Sequence, residues 1–463
     1  MKIVILGGGP GGYVCAIRAA QLGAEVILIE KDNVGGTCLN TGCIPTKALL
    51  HTTEIYNHLK EEASELGLIL ENLGLKWDVV QNRKEMVVQQ LVDGVKVLLE
   101  SNKVEVIKGE GKFISKNKIE VISSNKEKRL VSFDKAVIAT GSKPARVPIP
   151  GLDLDGVLTS TEALSLDRIP KSICIIGGGV IGVEFANIYS NAGTKVTIVE
   201  MLPEIVANMD EEIVTCLKEQ LIESGIDIYT STRVREIKME SDGLNVLMEN
   251  SEGEKPISAE KILLSIGRKP AIEGLGLEDL GIETEKGCIK VDKSMRTNID
   301  NIYAIGDCTG GALLAHVASS HGIAVAENIM GNFEAIDYKT TPYCIYTKPE
   351  LAGVGLTEKQ AVLKGYNVKT GKFPLYANGK SIINGMVNGL VKFVIDGDTD
   401  EILGLHIAGT NATELIGIGA LAIRLESTIE EIITTIHAHP TIGEGIHEAA
   451  ESVYGKAIHL PRV

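Results

Sequence analysis

Short apolar runs closed by glycine alternate with amphipathic stretches along this chain. Ile3 to Leu6 is apolar throughout and stops at Gly7-Gly8-Gly9. A run that short, bounded by turn residues, predicts a strand buried on both faces. A helical stretch follows. Then comes a second apolar run, Val26 to Ile29, which ends at Glu30. The whole pattern returns later: residues 3–30 (IVILGGGPGGYVCAIRAAQLGAEVILIE) align without a gap with residues 173–200 (ICIIGGGVIGVEFANIYSNAGTKVTIVE). Both read strand, glycines, helix, strand, glutamate. Between the copies, residues 51–100 carry long polar–apolar periodicity with few breakers and predict helix. Residues 104–138 predict strands and turns, ending in Ala136-Val137-Ile138-Ala139-Thr140-Gly141-Ser142. Pro144, Pro148, Pro150 and Gly151 mark a linker, and Gly267-Arg268-Lys269-Pro270 a further boundary. Residues 302–307 predict a buried strand ending in Asp307. From about residue 340 the pattern becomes mixed strands and helices with Gly and Pro punctuation, as expected of a separate α+β domain.

The repeat carries chemistry. Gly7, Gly9 and Gly12, and again Gly177, Gly179 and Gly182, fall at G-x-G-x-x-G positions between a strand and a helix. The first glycine permits the tight turn, the second lets a pyrophosphate approach the backbone, and the third lets helix and strand pack closely. The free N–H groups and dipole of the helix N-terminus then favour the anion. Glu30 and Glu200 stand at the end of each second strand, where a carboxylate accepts hydrogen bonds from ribose hydroxyls. A carboxylate at Glu200 also repels a 2′-phosphate, and Met201 after it is no arginine, so the second nucleotide is expected to be NAD rather than NADP.

Composition bounds the picture without changing it. The chain has 463 residues, 44% apolar and 23% charged. At about 100–200 residues per domain, that length predicts two to four domains. A formal charge of −15 argues against nucleic acid or an anionic membrane as the main partner. The opening apolar run ends too early for a signal peptide, and no stretch approaches the ~18 apolar residues of a membrane span. The expectation is a cytoplasmic protein.

Eight cysteines are present, and only Cys38 and Cys43 form a close pair. In a long cytoplasmic chain such a pair points to catalysis or metal binding rather than to a disulfide framework. Zinc would need two more ligands at recognisable spacing, and none lies nearby. Two buried apolar cysteines remain the plain alternative. An unkinked helix would hold the two Cα atoms roughly 8–9 Å apart, beyond the about 7 Å that a disulfide tolerates. Bridging therefore requires the backbone to leave regular helix, and Gly42 gives it that freedom.

The segment from Gly35 to Lys47, GGTCLNTGCIPTK, resembles the redox-active segment of the pyridine nucleotide–disulfide oxidoreductases. The resemblance covers the whole chain. The two nucleotide motifs, ATGS at 139–142, AIGD at 304–307, YTKPELAGVGLTE at 346–358 and HPTIGE at 439–444 fall in family order. Within the family the chain is most similar to the members that oxidise dihydrolipoamide with NAD. The implied fold is α/β, two Rossmann-like dinucleotide-binding domains plus a C-terminal α+β dimerisation domain. The implied divisions are an FAD unit at 1–143, an NAD unit at 144–266, a second FAD or central segment at 267–338 and an interface domain at 339–463.

The resemblance implies FAD on the first fingerprint, with contacts from Glu30, Lys47, Gly111, Thr140, Gly141, Ser142, Asp307, Ala315 and His316. It implies NAD on Gly177 to Gly182, Glu184, Glu200, Val234 and Gly267. Cys38 would be the interchange thiol and Cys43 the cysteine beside the flavin, with Lys47 and Glu184 as an ion pair near it. His439 and Glu444 match the family's catalytic base and its orienting carboxylate. Taken alone, either His437 or His439 would be read as structural. Because the family's base comes from the other subunit, a homodimer is implied, along with a lipoyl domain or H-protein as partner. No metal is expected, and neither is an attached lipoyl domain ahead of the first fingerprint. Thr41, Thr46 and Ala271 depart from the usual family residues without touching an electron-carrying group.

Related activities fit less well. Glutathione reductases read NADP, which Glu200 opposes. Mercuric and high-molecular-weight thioredoxin reductases carry a C-terminal redox pair, and no cysteine follows Cys344. A coenzyme A disulfide reductase would use one active cysteine. Cys38, Cys43 and His439 together oppose a non-catalytic flavin scaffold.

Overall fold

The first apolar run becomes the middle strand of a five-stranded parallel sheet in this computed structural model, which describes residues 1–241, 243–333 and 335–461. The spatial order is Ile302–Ala304, Lys135–Ile138, Lys2–Leu6, Glu25–Glu30, Glu105–Lys108. Ile3, Val4 and Ile5 are fully buried, with Ile3 beside Val26 on one side and Lys135 on the other. Burial on both faces is why the strand reads as an unbroken apolar run rather than an alternation.

The second copy builds the same arrangement. Its order is Asp227–Tyr229, Lys195–Val199, Ser172–Ile176, Lys261–Leu264, Val157–Leu158, again all parallel. The likeness extends past the aligned sequence. Each sheet is interrupted along the chain by a three-stranded antiparallel insert, Glu110–Ser115 to Lys128–Ser132 ahead of strand Lys135–Ile138 in one case and Arg233–Glu240 to Gly253–Ala259 ahead of Lys261–Leu264 in the other. In both sheets the fingerprint strand sits at the point where strand order reverses, the place where open α/β sheets bind ligands.

The C-terminal region is a five-stranded antiparallel sheet in the order Tyr343–Ile345, Glu350–Gly355, Ile402–Gly409, Leu390–Asp396, Val368–Pro374. All of Ile402–Gly409 is buried, beneath the Ala412–Arg424 helix, while the Glu444–Ser452 helix covers the neighbouring strands Leu390–Asp396 and Val368–Pro374. The α/β fold with a C-terminal α+β unit is as expected from the sequence.

Two elements differ from their sequence reading. Helix over 51–100 is interrupted: Cys43–Glu62 and Trp77–Ser101 are helical, and turns occupy the residues between, where Gly67 takes a φ of +73°. The strand expected over 302–307 stops at Ala304, and Asp307 lies on a tight 3₁₀ turn, Gly306–Thr309, after Gly306 at φ +68°.

Candidate active site

Each fingerprint folds as its glycines require. Gly7 takes a φ of +103° and Gly177 one of +108°. A Cβ on Gly12 would lie 1.8 Å from the Gly7 carbonyl oxygen, and one on Gly182 would lie 2.0 Å from that of Gly177. Gly9 and Gly179 cap the Pro10–Gln21 and Val180–Asn191 helices with no side chain, and neither first turn holds an acid. Their N–H groups stay available to an anion. The glutamates are tied back to the turns. Glu30 accepts from Gly8 N at 2.6 Å and Asp32 N at 2.8 Å, and Glu200 from Gly178 N at 2.6 Å and Leu202 N at 2.7 Å. A carboxylate has about four acceptor positions, so each keeps capacity for ribose hydroxyls.

The cysteine segment breaks where the spacing argument required. Gly36–Thr41 is one helix and Cys43–Glu62 the next, with Gly42 between them at φ −145°, ψ −114°. A Cβ at Gly42 would come within 2.8 Å of the Thr37 carbonyl oxygen. Thr46 Oγ1 donates to Gly42 O at 2.6 Å, and Asn40 Nδ2 donates to Val34 O and Gly36 O at 3.1 and 2.9 Å, pinning both sides of the break. Cys38 and Cys43 are unbridged, and each shifts the other's proton affinity. Donation from Cys38 pushes the Cys43 thiol down to about 7, and the Lys47 cation helps against burial. The same hydrogen bond pushes Cys38 up, and burial adds to it. The reduced pair therefore gives up its first proton from Cys43 and keeps the second on Cys38.

Lys47, one helical turn beyond Cys43, reaches across to the second fingerprint helix. Its Nζ lies 2.8 and 2.7 Å from the two Glu184 carboxylate oxygens and 4.6 Å from the centre of the Tyr346 ring. Tyr346 N also donates to Glu184 at 3.1 Å. Glu184 is almost wholly buried, so Lys47 answers a carboxylate that would otherwise lose hydration uncompensated.

Asp307 accepts from Ser142 Oγ at 2.5 Å. Arg268 donates to Ser142 Oγ and to Ser142 O, both at 2.7 Å, and to Thr37 Oγ1 at 3.3 Å. Burial lowers its basicity, while Asp307 and Cys43 act the other way. In the sequence Arg268 stands only as part of a boundary, Gly267 to Pro270. The signal it left was an arginine directly after the left-handed Gly267, which stands at φ +107°.

One cavity of about 2070 Å³ joins these parts. Gly7, Gly9, Glu30, Cys38, Cys43, Lys47, Gly111, Thr140, Gly141, Ser142, Asp307, Ala315 and His316 line it, as do Gly177, Gly179, Glu184, Glu200, Val234 and Gly267. Gly12 and Gly182 stand behind its wall as packing positions. A Cβ on Gly111 would lie 2.2 Å from Leu6 Cδ2. His316 is fixed by Pro342 O at 3.0 Å from Nε2. Thr140 Oγ1 is buried against this cavity with no hydrogen-bond partner among the described residues. A cavity twice the usual ~1000 Å³ upper size of a single-ligand pocket suits two large cofactors.

His439 and Glu444 lie elsewhere. Nδ1 of His439 is 2.8 Å from Glu444 Oε1, and the other carboxylate oxygen accepts from Thr441 N at 2.8 Å. Burial raises the Glu444 carboxyl, but the hydrogen bonds from Thr441 and His439 outweigh it and hold the group below its usual range. With Nδ1–H given to Glu444, Nε2 is left as the basic nitrogen. The His439 side chain is 81% exposed and is not part of the cavity wall formed by its own chain.

The sequence pattern of the pyridine nucleotide-disulphide oxidoreductases matches residues 1–322, and that family's dimerisation domain matches residues 341–450. A dihydrolipoyl dehydrogenase of Bacillus subtilis is 45% identical over 471 residues, covering 99% of both chains. One from Geobacillus stearothermophilus is 41% identical, covering 99% of this chain and 97% of its own. Among solved structures, LpdA of Mycobacterium tuberculosis superposes with a TM-score of 0.91 at 28% identity, covering 97% of this chain and 99% of its own. The HOCl-induced flavoprotein disulfide reductase RclA of Escherichia coli gives 0.87 at 28% identity, covering 97% and 99%.

Proposed function

The chain belongs to the pyridine nucleotide-disulphide oxidoreductase family, and from that premise we propose that it oxidises protein-bound dihydrolipoamide to lipoamide and reduces NAD⁺ to NADH. The observation that carries this reading is the Cys38–Cys43 pair beside the Lys47–Glu184 ion pair, in one cavity that both fingerprints line.

The first fingerprint fits FAD: its turn has no room for a Cβ at Gly7 or Gly12, and Thr140 Oγ1 lies buried without a hydrogen-bond partner among the described residues. The residues that would hold it are Gly7 to Gly12, Glu30, Lys47, Gly111, Thr140 to Ser142, Asp307, Ala315 and His316. Gly177 to Gly182, Glu184, Glu200, Val234 and Gly267 would hold NAD. We assign 1–143 and 267–338 to the FAD unit, 144–266 to the NAD unit and 339–463 to the interface unit. When bound, FAD carries an electron pair from the thiols to the nicotinamide.

The chain's own residues handle protons and sulfur. His439 Nε2 takes a proton from one dihydrolipoamide thiol, because thiolate is the nucleophile. That thiolate attacks Cys38 Sγ in the oxidised Cys38–Cys43 pair. The bond between the two cysteines breaks, and Cys43 leaves as thiolate. Its lowered basicity suits it as the leaving group. The second substrate thiol then closes on the first sulfur, giving lipoamide, and the departing Cys38 takes up that thiol's proton. Lys47 stabilises the anion on Cys43. In a homodimer the base would come from His439 of the partner subunit, a reading supported by its exposure away from its own chain's cavity. A lipoyl domain or H-protein would bring the substrate.

Turnover with dihydrolipoamide and with reduced glutathione, each with NAD⁺ and NADP⁺, tests the proposal. Dihydrolipoamide with NAD⁺ is expected to dominate. A preference for glutathione or for NADP⁺ would overturn it.

A further inference from the structure

A lysine is buried in the C-terminal sheet with three carboxylates around it. Lys392, on Leu390–Asp396, is 2% exposed. Its ammonium lies 3.1 Å from Asp210, 2.5 Å from Glu212 and 2.8 Å from Glu358. Asp210 is also 2% exposed and caps the Glu211–Glu223 helix, accepting from Glu212 N at 3.2 Å. Lys372 reaches Glu212 at 2.9 Å, and His406, opposite Lys392 in the sheet, is held by Leu356 O at 2.9 Å. Asp210 and Glu212 come from the unit of the second fingerprint, and Lys392 and Glu358 from the C-terminal region. The cluster is thus a tie between two parts of the chain that are far apart in sequence.

Asp210 also ends the segment that begins after Glu200. Met201, Leu202, Asn208 and Met209 of that segment line the cavity. Val206 N donates to Gly178 O at 2.9 Å, and Met209 N to Val206 O at 2.9 Å. The segment therefore has one anchor on the fingerprint turn and another on Lys392. Exposed ion pairs are too weak to fix a loop. A buried lysine among carboxylates differs, because moving the loop away would leave a charge stranded without water.

We infer that Lys392 is a positioning residue for the nicotinamide coenzyme: through Asp210 and Glu212 it holds residues 201–210 in the shape that walls the second fingerprint. This rests on the proposal that the second fingerprint takes NAD. Lys392 touches no reacting group, and its effect passes entirely through the segment it holds.

The test uses the flavin-loaded dimer. Lys392→Met removes the ammonium and keeps the stem. Asp210→Asn keeps a helix-capping side chain and removes one of the charges that Lys392 holds. Glu358→Gln is the control, since it leaves the tie to Asp210 and Glu212 intact. NADH affinity is measured by equilibrium titration, alongside KM for NAD⁺ and for dihydrolipoamide and the flavin content. Lys392→Met and Asp210→Asn are each expected to weaken NADH binding and raise the NAD⁺ KM about tenfold, with dihydrolipoamide KM and flavin content within about twofold of the parent. Glu358→Gln is expected to change neither. Wild-type NADH affinity in Asp210→Asn would overturn the inference, as would a fall in kcat with the NAD⁺ KM unchanged. If Lys392→Met does not fold, Asp210→Asn decides alone. If the parent protein binds no NADH, the proposed function fails rather than this inference.

Discussion

In the first fingerprint the Gly8 carbonyl accepts from Gly35 N at 2.7 Å, and in the second the Gly178 carbonyl accepts from Val206 N at 2.9 Å. The two turns, their glutamates and their uncapped helices are otherwise near copies, but the chain that leaves each goes to a different place. After the first it runs directly over the turn into the cysteine helix, so closely that a Cβ on Gly36 would lie 2.6 Å from Gly9 Cα. After the second it packs against Gly178, where a Cβ would lie 2.8 Å from Ile205 Cγ2, and goes on to Asp210 and Lys392; among the described residues nothing lies within 4 Å of a Cβ on Gly179. The first turn is roofed at Gly9 by the cysteine segment, whereas the second is flanked at Gly178 and left open at Gly179. That is the difference expected between a resident cofactor and a coenzyme that comes and goes.

The comparison breaks most sharply at the roof. Cys43→Ser is expected to lower dihydrolipoamide oxidation about 10³-fold or more while NADH binding at the second turn is unchanged. Steady-state assay and NADH titration on the same preparation check it, and retention of more than about a tenth of the activity would remove Cys43 from the reaction.

The third glycines probe the turns themselves. Forcing a methyl group against a carbonyl costs typically ~1–3 kcal/mol. Gly12→Ala is expected to lose flavin and Tm, because the roof leaves the first turn no room to yield. Gly182→Ala is expected to keep flavin and lose coenzyme affinity. Equal flavin loss in both variants would show that the roof makes no difference.

The two glutamates give a smaller effect. Glu200→Ala is expected to reduce the preference for NAD⁺ over NADP⁺ about tenfold, by removing repulsion toward a 2′-phosphate. Glu30→Ala should leave that ratio alone and weaken flavin retention. Measuring kcat/KM for both coenzymes in each variant separates the two sites.

The finest effect is in protonation. The reduced pair should lose its first proton with an apparent midpoint near 7, below the ordinary thiol value, so thiolate dominates above that pH and fades below it. Lys47→Met removes a cation that favours the thiolate, and the midpoint should rise. Ultraviolet thiolate absorbance against pH reads both, and an unchanged midpoint in the variant would exclude Lys47 from this role.

Much of this arrangement was legible because it is local. Strand, glycine turn, helix and acid all lie within residues 3–30, and each step follows from the dihedrals and burial of a few neighbours. The break at Gly42 was readable for the same reason: helix rise and disulfide reach are both short-range facts. Where local reading erred, a nearby glycine ended an element early, as at Gly67 and Gly306. The Lys47–Glu184 and His439–Glu444 pairs were reached only through family resemblance. Arg268 was missed as a site residue because its partners, Ser142 and Thr37, are distant in the chain.

The sequence by itself therefore determined two nucleotide turns, a cysteine pair that needs a broken helix, and an acid that disfavours a 2′-phosphate. Only the tertiary structure decided which turn is roofed, that Arg268 joins Ser142 to Thr37, that Asp210 and Lys392 join two units, and that His439 stands outside its own chain's cavity. The physical reason is range. Backbone dihedrals and apolar periodicity act over a few residues and leave a mark in the local pattern. Buried charges choose partners by shared loss of water, and Lys392 meets Asp210 across 182 residues that carry no sign of it.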